Sequence, residues 1–69
     1  MSMTKVEAAL GMVQAMADAI KELGSVPSGH LYARVMGHMS LENYTAIIGV
    51  LIKAGLVEMD SSHLLRWVG

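Results

Sequence analysis

At 69 residues the chain is sized for one domain with a small core, and 54% hydrophobic against 16% charged residues is more apolar material than such a core readily hides. It has no cysteine, which excludes disulfide staples and thiolate metal sites. The formal net charge is −1 and the five cations, Lys5, Lys21, Arg34, Lys53 and Arg66, stand singly, so no basic cluster marks a nucleic-acid footprint.

Lys5, a mildly apolar stretch and Ala15-Met16-Ala17 imitate the three regions of a secretory signal. Glu7 and Gln14 interrupt that stretch at a spacing that suits a helix instead. The longest apolar run, Ala46 to Ile52, is far short of the roughly 20 residues that span a bilayer. A soluble cytoplasmic protein with no membrane contact is the expectation.

Thr4-Lys5-Val6-Glu7 has the form of a capping box, and Gly24 suits a left-handed C-terminal cap, which predicts a first helix from Thr4 to Leu23. Val6, Leu10, Val13, Ala17 and Ile20 form one apolar seam along it. Ala9, Met12, Met16, Ala19 and Leu23 form a second seam beside the first. Together they cover roughly half the circumference, wider than the ~100° stripe that one core contact needs. The first seam is assigned to the core and the second to a second copy of the chain, so a homodimer through this helix is expected.

Ser25-Val26-Pro27-Ser28-Gly29 reads as a linker. A second helix follows from Ser28 to Met36, with Leu31, Tyr32, Val35 and Met36 inward and Gly37 at its end. His38-Met39 makes a turn and Ser40 caps a third helix, Leu41 to Ala54. That helix carries Leu41, Tyr44, Ile47, Ile48 and Leu51 on one face and stops at Gly55. Leu56 to Asp60 and His63 to Val68 read as two strands around Asp60-Ser61-Ser62. A three-residue connection puts Val57 and Met59 on the same face as Leu65 and Trp67. The expected fold class is a mainly helical α+β domain over the whole chain, three helices followed by a two-stranded hairpin.

From Ser28 to Val68 this pattern resembles the winged helix-turn-helix superfamily. Leu31, Ala33 and Met36, then Tyr44, Ile48 and Leu51, then Gly55-Leu56-Val57 with the hairpin, carry the resemblance. It implies that the third helix is a recognition helix and the hairpin a wing. Carried over, Ser40, Glu42, Asn43, Ala46 and Lys53 would face a DNA groove, with Asn43 placed to read adenine. Ser61, Ser62 and His63 would form the wing tip, with Arg66 just inside it and Arg34 on the second helix.

The chain departs from that pattern where cations are needed. The third helix offers Ala46, Gly49, Val50 and Ile52 where Arg or Lys would meet phosphates. Val50 and Ile52 lie off the core stripe, so they either mark an interface or pack beneath the first helix.

Other constellations read as structural. Consecutive Asp60-Ser61-Ser62-His63 does not converge as a hydrolytic triad must, and Asp and Ser favour such turns for their own backbone bonding. His30, His38 and His63 lack zinc-site spacing. Met12, Met16, Met36, Met39 and Met59 suit gap-filling in a core, the alternative being an adaptable peptide groove. No phosphate loop is present. No catalysis, metal or cofactor is expected. The reading is a non-catalytic binding module, a homodimer serving protein interaction or assembly with an unidentified protein partner. The alternative is a small DNA-binding transcriptional regulator using the third helix and the wing.

Overall fold

Two glycines in the left-handed region end the two longer helices. The computed structural model describes residues 5–69, with side chains from Leu10 onward. Helix α1 (Lys5–Leu23) ends at Gly24, φ +79, whose amide donates to the Ile20 carbonyl at 2.8 Å. Helix α3 (Leu41–Lys53) ends at Gly55, φ +76. There the Gly55 amide reaches the Ile52 carbonyl at 3.0 Å and the Leu56 amide reaches that of Leu51 at 3.1 Å. These paired bonds form a Schellman motif, and only glycine enters the left-handed conformation without a Cβ penalty. Thr4 of the expected capping box, and the side chains of Val6, Glu7 and Ala9, lie outside the described residues.

Residues read as a linker form a strand instead. Strand β1 (Ser25–Pro27) leaves α1 at Gly24 and runs straight into helix α2 (Ser28–Val35). The hairpin supplies β2 (Val57–Met59) and β3 (Leu64–Trp67), and the sheet order is β1-β3-β2, antiparallel throughout. The sheet therefore has three strands where two were expected. Val26 stands opposite Leu65, while Val57 and Met59 stand opposite Trp67 and Leu65. Pro27 is tolerated because β1 is an edge strand.

Helix α2 does not end on a left-handed Gly37. Among the described residues the positive-φ glycines are Gly24 and Gly55. Instead the Met36 amide bonds Tyr32, and the His38 and Met39 amides both turn back to the Val35 carbonyl, at 2.8 and 3.2 Å. Ser40 then caps α3, its Oγ accepting from the Asn43 amide at 3.1 Å.

Met16 and Ile20 from α1, Leu31 from α2, Tyr44, Ile47, Ile48 and Leu51 from α3, and Val26, Val57 and Leu65 from the sheet form the core. The Tyr44 hydroxyl donates to the Ser28 carbonyl at 2.9 Å, and its ring lies tilted against Tyr32. The Ser28 amide bonds the His63 carbonyl at 2.9 Å, which fastens the hairpin tip to the start of α2. Four residues expected inside are exposed: Leu10, Met36, Leu41 and Met59, the last at the end of the edge strand β2. Leu10 lies only about 20° around the helix from half-buried Ala17, but nearly two turns before it and ahead of Met16, the first buried residue of α1 among the described ones. Met36 follows the last residue of α2 as its cap, and Leu41 opens α3 at the margin of its buried stripe.

Leu65 is fully buried in the central strand with a neighbour on either side. Leu65→Ala should cost about 2–5 kcal/mol, about half of the roughly 3–10 kcal/mol available to a chain this size. Urea unfolding checks this; a loss below about 1 kcal/mol would show that β3 does not hold the core together.

Candidate functional site

The buried stripe of α3 dictates what its other side presents. With Tyr44, Ile47, Ile48 and Leu51 inward, Glu42, Ala46, Gly49 and Lys53 fall along the outward line, and all four are exposed. Val50 flanks that line toward α1, 52% exposed, and Ile52 flanks it toward the hairpin, 38% exposed. Neither packs beneath α1. An open groove of ≈ 290 Å³ separates α3 from α1, lined by Met12, Val13, Asn43, Ala46, Ile47 and Val50. A second, ≈ 300 Å³, separates α3 from the hairpin between Thr45, Gly49 and Ile52 on one side and Met59 and His63 on the other.

Several residues assigned to a partner by resemblance are engaged within the fold. Ser40 is the α3 cap. The Arg66 guanidinium donates to Glu58 at 2.8 Å across the sheet. Both side chains are solvated, so the pair contributes little stability, roughly 0–1 kcal/mol; it does answer the Arg66 charge. Ser61, Ser62 and His63 form the hairpin tip as a self-bonded turn. One Asp60 carboxylate oxygen accepts from the Ser62 amide at 2.9 Å, the Ser62 hydroxyl at 2.7 Å and the Leu64 amide at 3.0 Å. His63 closes the three-residue loop at φ 63, a left-handed position where histidine is among the better-tolerated non-glycine residues. The Ser62 hydroxyl thus shares its Asp60 acceptor with two backbone amides of the same turn, which is the local bonding Asp and Ser adopt in tight turns.

Arg34 is exposed on α2 and lines a separate groove with Glu22 and Leu23 of α1. Asn43 is exposed at the α1 side of α3. Lys21 places its ammonium 5.9 Å from the Trp67 ring centroid, a cation–π contact joining α1 to the sheet. Among the described residues no three of His, Asp and Glu are grouped to hold a metal ion, and no helix is long and apolar enough to cross a membrane.

The seam of α1 assigned to a second copy divides. Met16, 2% exposed, lies in the protomer's own core and cannot serve as an external contact. Met12 and Ala19 are half-buried against that core, Leu23 is exposed, and the Ala9 side chain lies outside the described residues. Residue spacing gives the width of an apolar face but not which of two adjacent seams points inward.

Gly49 enters the sequence reading only as a place without a cation, not as a contact residue. It sits mid-helix without a positive φ, and a Cβ built there meets nothing within 4 Å. The protomer's own packing therefore does not require it, and its signal in the sequence is a glycine inside an apolar helical run. A comparison of the chain with protein-family models, curated proteins and solved structures finds no match.

Two measurements follow from this geometry. At a concentration where sedimentation shows a monomer, Gly49→Ala should stabilise the protomer by about 1 kcal/mol, raising its melting temperature by roughly 4–8 °C; a lower melting temperature there would show hidden crowding at this position. The Ser62 hydroxyl bond, and then the Leu64 amide, hold the Asp60 carboxyl below its ordinary value of 3.8. A depressed folded-state pKa gives stability that is present above the unfolded value and lost as pH falls through the folded one. Below about pH 4 the melting temperature should fall more steeply for the native chain than for Asp60→Asn; parallel profiles would remove the turn from the acid response.

Proposed function

We propose that the chain is a non-catalytic binding module on a winged helix-turn-helix frame, acting as a homodimer in protein interaction or assembly. The succession of α2, turn, α3 and hairpin supports the frame. One observation carries the function: the outward side of α3 is small and apolar through its middle, with one anion near its start and one cation at its end. A surface of that kind suits protein, since exposed apolar residues beside an open groove gain free energy when another chain removes them from water.

Duplex DNA asks for something else. Counterion release supplies most non-specific affinity, and each neutralised phosphate needs its own cation. On α3 that role falls to Lys53 alone, while Arg66 is held by Glu58 and Arg34 lines another groove. A DNA-binding regulator is the second reading, favoured by exposed Asn43 near the start of α3, where a recognition helix reads base edges.

Gel retardation with duplex DNA at about 0.15 M salt separates the two. The expected outcome is no sequence-preferring shift, and no difference between the native chain and Asn43→Ala. A specific shift that Asn43→Ala abolishes would replace the interaction module with the regulator.

A further inference from the structure

From the outward side of α3 we infer that its occupant is the same side of a second copy, packed antiparallel across a two-fold axis at the level of Ile47 and Ile48. This rests on the reading of the chain as a self-associating binding module, and it moves the contact from α1 to α3.

Area is the first support. A compact monomer of 7.4 kDa exposes about 4,200 Å², whereas this chain exposes 4966 Å². The difference, about 750 Å², is spread over the whole chain, and exposed Leu41, Val50 and Ile52 place part of it on α3.

Charge is the second. Glu42 and Lys53 stand on one line at opposite ends of α3. Antiparallel pairing about that axis sets Glu42 of each copy against the partner's Lys53, twice per dimer. A parallel pairing would instead set like charges together, which is unfavourable. Opposed helix dipoles favour the same arrangement.

Shape is the third. The two-fold sets Ala46 opposite the partner's Gly49, and side chains this small let helix axes approach toward the lower end of the usual 8–10 Å range. Such a rotation keeps the α1 sides of the two copies together. The partner's Val50 then lies over the groove between Met12, Asn43 and Ala46, and its Ile52 over Leu41 and Thr45. An isologous contact of this kind uses one patch twice and closes on itself, giving a dimer and no filament. It also covers the helix that DNA recognition would need.

Charge exchange tests it. Sedimentation equilibrium is run on the native chain, Glu42→Lys, Lys53→Glu and the double exchange, with circular dichroism to verify that each is folded. The native chain sediments as a dimer. Each single exchange weakens dimerisation by about tenfold or more, because two like-charged pairs replace two attractive ones. The double exchange restores the dimer to within about threefold of native. Gly49→Leu, whose Cβ meets nothing within 4 Å in the protomer, also dissociates it.

A dimer indifferent to all four variants overturns the α3 contact and leaves self-association in place. A native chain that stays monomeric at about 1 mM overturns both. Variants that keep the dimer but lose retardation of DNA, or binding to a different protein, assign α3 to another occupant and overturn the contact equally.

Discussion

The position of α3 depends on the pairing of the last strand with the first. β3 lies between β1 and β2, so the end of the chain closes onto residues that follow α1 directly. Leu65 is the pivot: it faces Val26 on one side and Met59 on the other, with no exposed surface. In a chain with no disulfide, this pairing and the shared apolar core join the two halves. The backbone bonds from Trp67 to Gly24 and from Ser28 to His63 continue the same closure. With the sheet fixed, α3 has one way to bury Tyr44, Ile48 and Leu51, and its outward line is thereby determined.

Much of this was legible in the residues, for reasons that can be named. Helical spacing and the two capping glycines mark α1 and α3, because a left-handed cap leaves glycine little competition. The hairpin register is readable because alternation and a three-residue loop agree. β1 was not readable. A three-residue strand containing proline buries one side chain, Val26, and takes its partner from the far end of the chain. The end of α2 misled for a related reason: Gly37 has the composition of a cap, but the turn back to Val35 makes a left-handed residue unnecessary.

The candidate site was legible as a place more than as a set of residues. Ser40 and Arg66 are chemically suited to contact a partner, but one caps a helix and the other answers Glu58. Whether a polar side chain is free depends on what the fold puts beside it, which spacing alone does not reveal. Met16 shows the same limit on the apolar side, since the core took Ile20 from the seam assigned to it and Met16 from the one reserved for a partner. Gly49 illustrates the reverse. Its lack of neighbours became informative once the surrounding side chains were in place.

A small domain that keeps apolar flanks on an exposed helix gives up burial it can ill spare, and the proposed second copy would restore it by mass action. The most direct measurement of that account uses the absence of native cysteine. Glu42→Cys and Lys53→Cys are prepared separately, mixed and oxidised mildly. Antiparallel α3 helices bring the two positions together across the dimer, while like positions stay about 16 Å apart along the helix, beyond disulfide reach. The account predicts covalent dimers from the mixture and almost none from either variant alone. Equal yields from each variant alone, or no covalent dimer in the mixture, would contradict it.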